Sequence, residues 1–529
     1  MLTAVLIAAI VSLRLSRHFL KCVCANGFVA VLALLNPSAL AATSLYFSTA
    51  GGGTAWDATT TTDWGTVTGG PYNASKWISG GTAVFEGTAG TVSVSGTDIP
   101  TVGGINFNVT GYTLSVGTLT IGANPLIINQ YGSGVNFEID SVIANGSGAN
   151  TGVAYNRSGS SRGTITIGGL NTYTGPTTNG SSIVSINTIA NGGSPSSFGA
   201  GDNTVPVVIC TGTSYAQVNY TGTGGSTDRP WLVGGSGGGT INNNGTGALS
   251  FNNTGSMMVG TTARTIALGG SYTASANTFA ETINDLGTGA NISALTVNGG
   301  TWIISGANTF SGTVQISGSA TLSASSLNYV TSGSLSPNTS SSLGHPSAAN
   351  GLIQLGNTVS YPGGTLRYVG PGETTDRAIN LANTTGGSAL DQSGTGLLKF
   401  TSAFTATGAG SKTLTLQGST AGTGEIDGAI VDNSTGTYNT ALTKAGTGIW
   451  TLGGVNTYSG TTTVSAGELV GATGGSCNNS IVTVSAGATN GVSILLSGGQ
   501  WSCAGLTNST STGYMDFNFG SAGLSATAP

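Results

Sequence analysis

The chain has 529 residues, 90 of them glycine, with 38% hydrophobic and only 6% charged residues and a net charge of −5. Ordinary globular domains carry about 25% charged residues, and disordered chains combine high charge with low hydrophobicity, so neither class fits. Thirteen basic residues, without a cluster beyond the first 42 positions, leave no nucleic-acid footprint, and five cysteines exclude a disulfide-dense scaffold.

Residues 1–41 read as a secretory signal peptide. Arg14, Arg17, His18 and Lys21 precede the apolar run Phe28–Leu35, and Ala39 and Ala41 fit the small-residue rule for cleavage before Ala42. The apolar stretch Met1–Leu13 departs from that pattern and implies an extended leader or a downstream start. A membrane anchor is the rival, disfavoured because the run before the cleavage site is shorter than the roughly 20 residues that span a bilayer.

Residues 42–160 are expected to form a cap and the first β-coils. Trp56, Trp64 and Trp77 punctuate a loop-rich opening. Alternation follows, with Val92 and Val94, Ile105 and Phe107, Tyr112 and Leu114, and Leu119 and Ile121 placed to share strand faces. No stretch reads as an amphipathic helix.

Residues 161–470 carry the repeats. GTITIGGLNTYTGPTT (Gly163–Thr178), GTWIISGANTFSGTVQI (Gly300–Ile316) and GIWTLGGVNTYSGTTTV (Gly448–Val464) align on one another. Each places Asn and Thr before an aromatic residue, with Gly two positions later: Asn171, Tyr173 and Gly175; Asn308, Phe310 and Gly312; Asn456, Tyr458 and Gly460. In the last copy Gly446, Gly448, Trp450 and Leu452 continue the every-second-residue pattern towards the N-terminus, and Trp302 matches Trp450. The asparagines lie 137 and 148 residues apart. The 148-residue offset also relates Asp228-Arg229 to Asp376-Arg377, Tyr220 to Tyr368 and Arg264 to Lys412. A helix-free unit that long must hold several coils. Short alternating runs between Gly/Asn corners predict an all-β, right-handed parallel β-helix of the pectate-lyase-like kind, with several coils per ~148-residue super-repeat. Asn at the corners is expected to bond to Asn above and below. A β-propeller would repeat at ~40–50 residues instead. Residues 471–529 are expected to add further coils, and the pattern stops at Pro529 without barrel strands, as in a truncated chain.

The motif Leu442-Thr443-Lys444-Ala445-Gly446-Thr447-Gly448, Trp450-Thr451-Leu452, Asn456-Thr457-Tyr458-Ser459-Gly460 and Thr463-Val464-Ser465-Ala466-Gly467-Glu468-Leu469 resembles the autotransporter-associated β-strand repeat, also called the passenger-associated transport repeat. The resemblance is weaker at 295–322 and 163–186 and extends loosely over most of the chain. It implies a bacterial secreted or cell-surface passenger or stalk, adhesive in character, whose repeats aid export and folding. Surface glycans or other cells are the partners it implies.

Parallel β-helices also host polysaccharide lyases and glycoside hydrolases, so carboxylate pairs matter. Glu138 with Asp140, and Glu425 with Asp427, each share a strand face and suit an acid–base pair or Ca²⁺; a solvated face is the plainer reading. Asp228-Arg229 and Asp376-Arg377 recur at the repeat distance, as a structural ion pair or corner would. His345 is the one histidine outside the leader, which excludes a histidine zinc cluster and disfavours a Ser-His-Asp triad. Cys477 and Cys503 are spaced to allow a disulfide but read first as small buried side chains. The balance is a non-enzymatic passenger without cofactor; a β-helical lyase or hydrolase and a carbohydrate-binding module are the alternatives.

Overall fold

The computed structural model describes residues 43–519 except 124, 147–150, 261, 287–291, 331–339, 359–361, 385, 434–437, 497–498 and 510–511. The expected signal peptide lies outside the described residues. The described residues from Leu45 onward belong to one compact unit, a right-handed parallel β-helix. Helical structure among the described residues is limited to one turn at Thr49–Gly52 and a 3₁₀ turn at Ala348–Asn350.

Strands of two to nine residues stack in sheets of eight, fourteen, three, twelve and seven. The eight-stranded sheet runs from Ser44–Phe47 to Trp231–Val233, and the fourteen-stranded one from Ala55–Trp56 to Thr405–Ala406. As the first ends, the twelve-stranded sheet begins at Gly225–Thr227 and continues to Ser502–Asn508. Five strands of this sheet separate Asn308 from Asn456, so the 148-residue super-repeat does hold several coils.

Parallel register aligns identical faces from coil to coil, so inward side chains form columns. One column of register partners runs Trp302, Leu322, Leu366, Leu390, Leu416, Lys444, Val464 and Val484. Each fully buried aliphatic side chain contributes about 1.5–3 kcal/mol, and the ladder satisfies the backbone. Near the N-terminus the columns are aromatic: Phe85 stacks on Phe107 at 4.9 Å and Phe107 on Phe137 at 3.8 Å. Trp56, Trp64 and Trp77 pack on one another with centroids 4.8–5.1 Å apart.

Candidate functional site

The repeated motif is the feature the chain builds three times. In the last copy every even-numbered residue from Gly448 to Val464 is buried, while Gly446 is exposed in the left-handed region at φ +66. Strand Ile449–Leu452 enters the corner and strand Thr462–Val464 leaves it. Trp302 and Trp450 are wholly buried, and the Trp450 indole donates to the Gln417 carbonyl at 2.9 Å. The indole occupies space left by Gly424 in the coil before: a Cβ there would overlap the ring.

The asparagines do not form the expected Asn-on-Asn ladder. They stand several coils apart, and each joins the backbone of the coil before to that of the coil after. Asn171 accepts from Ile143 N–H at 2.7 Å and donates to Ser197 O at 2.7 Å. Asn308 accepts from Ile283 N–H and donates to Ser342 O, each at 2.7 Å. Asn456 accepts from Ile430 N–H and donates to Ser476 O, each at 2.9 Å. Asn–Asn contacts exist elsewhere, on the sheet faces, where Asn129 donates to Asn106 and Asn242 to Asn219.

The glycine two positions after the aromatic brings two backbones together. Gly312 N–H donates to Ser293 O at 2.9 Å and Gly460 N–H to Thr440 O at 3.0 Å; a Cβ at either glycine would collide with that carbonyl. Gly175 N–H meets Thr151 O at 3.1 Å in the same way. The aromatic residue is coupled to the residue four on. Tyr173 and Thr177 share a hydrogen bond of 2.7 Å, and Tyr458 and Thr462 one of 2.6 Å. In the middle copy Phe310 and Val314 replace both partners, so neither hydroxyl is orphaned.

Sequence reasoning missed two further parts of the corner. An acceptor sits two residues after each isoleucine: Asn145 accepts from Thr174 N–H, Asp285 from Ser311 N–H and Asp432 from Ser459 N–H. The shared Ile-x-Asn/Asp pattern marks it, 23–26 residues before the motif asparagine. The second part is a turn, Ser196-Ser197-Phe198-Gly199 and Ser341-Ser342-Leu343-Gly344, in which the first serine hydroxyl donates to the glycine carbonyl at 2.8 and 2.7 Å.

Those turns explain the recurring Asp-Arg pairs. Arg229 donates to Phe198 O at 2.7 Å and Val205 O at 3.1 Å. Arg377 donates to Leu343 O, Leu327 O and Gly351 O at 3.0–3.1 Å. Asp228 and Asp376 instead accept from Gly192 and Val330 N–H, each at 2.7 Å. The recurrence is thus a corner whose cation holds carbonyls. The loop before the turn also accounts for most of the difference between the 137- and 148-residue offsets. Ser196 follows strand Ile183–Ile186 by 10 residues, and Ser341 follows strand Thr321–Ala324 by 17.

Lys412 and Lys444 are buried on the same plan. Lys444 donates to Ala445, Gly446 and Ala466 carbonyls at 2.8–3.0 Å, and Lys412 to Asn383 and Ala409. Burial lowers their affinity for the proton, Lys444 to about 8 and Arg377 to about 9.

The carboxylate pairs are not alike. Glu425 and Asp427 both grip Lys399, at 2.8 and 2.5 Å, rather than forming a bare solvated face. Glu138 is partly buried and Asp140 exposed; desolvation raises both from their ordinary values, with the Asp140 charge adding to the rise at Glu138. His345 extends the second turn, its N–H donating to Phe310 O at 2.8 Å as Ala200 does to Tyr173 O. Among the described residues no group of three or more His, Cys, Asp or Glu is placed to hold a metal ion.

The model of the passenger-associated transport repeat matches residues 297–323 and 442–470, the middle and last corners. The chain carries two passenger-associated transport repeats. The first corner, at Asn171, lies outside those matched residues and makes the same repeat hydrogen bonds. Over 426 residues the chain is 31% identical to the adhesin BmaC autotransporter of Brucella suis biovar 1 (strain 1330). That alignment covers 77% of this chain and 12% of the relative, so the chain spans a small part of that protein's length. No solved structure matches the chain.

Proposed function

We propose that this solenoid is a non-enzymatic passenger segment carried to the bacterial surface, where it acts as an adhesive stalk. The observation that carries the reading is the use made of its repeated polar groups. Asn171, Asn308 and Asn456, and Arg229 and Arg377, are buried and bonded to backbone, where they brace coils and face no substrate. The similarity to an autotransporter adhesin supports export and adhesion for the longer protein. The outward strand positions, rich in Thr, Ser and Asn with few charges, suit hydrogen bonding to neutral polyhydroxyl surfaces such as glycans. Beads coated with the chain should bind host cells or glycan arrays above uncoated beads, with no release of soluble sugar from polysaccharides. Absence of binding would sink the adhesive role. Sugar release abolished by Asp140→Asn or Asp427→Asn would overturn the non-enzymatic one.

A further inference from the structure

In each corner the asparagine amide donates to a serine carbonyl, and the next residue is buried: Phe198, Leu343 and Cys477. Two copies place a large apolar side chain there, and the third places a thiol. The strand laid on that coil, Ser502–Asn508, puts Cys503 directly opposite Cys477 in parallel register. Register partners sit one strand spacing apart, about 4.8 Å, inside the Cα range of about 4.4–6.8 Å that a disulfide spans. The ladder slips by two residues immediately after this pair, from Cys477↔Cys503 to Ile481↔Gly505, so three residues of the lower strand stand opposite one of the upper. A bulge bends its strand and re-aims the side chains beside it. Cys210, by contrast, faces Val233.

Both thiols are free in this structure. We infer that Cys477 and Cys503 are a modification site, closing to an intrachain disulfide that staples two successive coils when the chain meets a disulfide oxidant. Cys503 is the more accessible of the two, and burial, with Cys503 alongside, pushes the Cys477 thiol up to about 12. Cys503 thiolate therefore attacks the oxidant's disulfide first and releases one thiol. Cys477 then loses its proton and displaces the second. Two protein thiols give up two electrons and two protons, and one oxidant disulfide becomes two thiols.

The test is peptide mass spectrometry of the full chain after oxidised glutathione, with alkylation before digestion. A peptide linking Cys477 to Cys503, cleaved by dithiothreitol, is expected, and amide exchange across Ser502–Asn508 should slow at least tenfold in the oxidised protein. Recovery of the two cysteines as separate alkylated or glutathionylated peptides would overturn the proposal. So would linkage between copies through Cys503. Wild-type protein compared in its two redox states needs no substitution; Cys503→Ser serves as a second arm, in which exchange should not respond to oxidant.

Discussion

Replacing Asn456 with alanine removes three hydrogen bonds of 2.9 Å: one accepted from Ile430 N–H, and two donated, to Gly454 O and Ser476 O. The carbonyls keep backbone partners, since Ser476 N–H still donates to Gly454 O and Asn456 N–H to Ser476 O. Ile430 N–H is different, because the amide oxygen is its acceptor in a buried corner. An orphaned buried donor costs about 1–3 kcal/mol, and each lost bond to an already bonded carbonyl about 0.5 kcal/mol, so the total is about 2–4 kcal/mol. A solenoid need not unfold in one step, so a local readout is better than a melting point. Amide exchange at Ile430 should accelerate roughly 30- to 700-fold, at one decade per 1.4 kcal/mol. Asn171→Ala and Asn308→Ala should do the same at Ile143 and Ile283. Unchanged protection at Ile430, or an effect in one corner alone, would refute the shared geometry.

Trp450→Ala should cost roughly 3–5 kcal/mol by emptying the column, and Gly424→Ala should cost about 1–3 kcal/mol by pushing into the same ring; denaturant titration of the two checks both. Tyr458→Phe and Thr462→Val should each cost about 1 kcal/mol, while the double variant, built like Phe310 with Val314, should cost less than their sum in a double-mutant cycle. Lys444 holds its proton less tightly folded, at about 8, than unfolded, at 10.5. The unfolded chain therefore binds more protons between those values, and stability from this group rises with pH above about 8. The rise should vanish in Lys444→Met when the two are compared by denaturation from pH 7 to 10.

The coil architecture was legible because it rests on a period of two and on glycine corners, both local properties of the chain. The burial of every second residue from Gly448 to Val464 is that pattern made solid. The partners of the asparagines were not legible. They are backbone groups 20–34 residues away, brought alongside only by stacking. Asp285 and Asp432 hid for the same reason. Arg377 and Lys444 recur or sit in clear patterns, yet a cation in an apolar column contradicts ordinary burial preferences, and the carbonyls that hold it carry no sequence mark. The pairing of Asp376 with Arg377 in sequence suggested mutual neutralisation, whereas the guanidinium reaches carbonyls up to 50 residues away.

Each motif asparagine is complete only when the coils on both sides are in place. A coil arriving at a growing edge therefore meets a waiting donor at a fixed point, and that donor sets its alignment before the strands close. Such marks, 137 and 148 residues apart, divide a long and otherwise slippery stack into intervals. A slip of two residues, which keeps every side chain on its proper face, would go unnoticed by the hydrophobic columns. It would be caught at the next asparagine, so misassembly is confined to the coils between two marks.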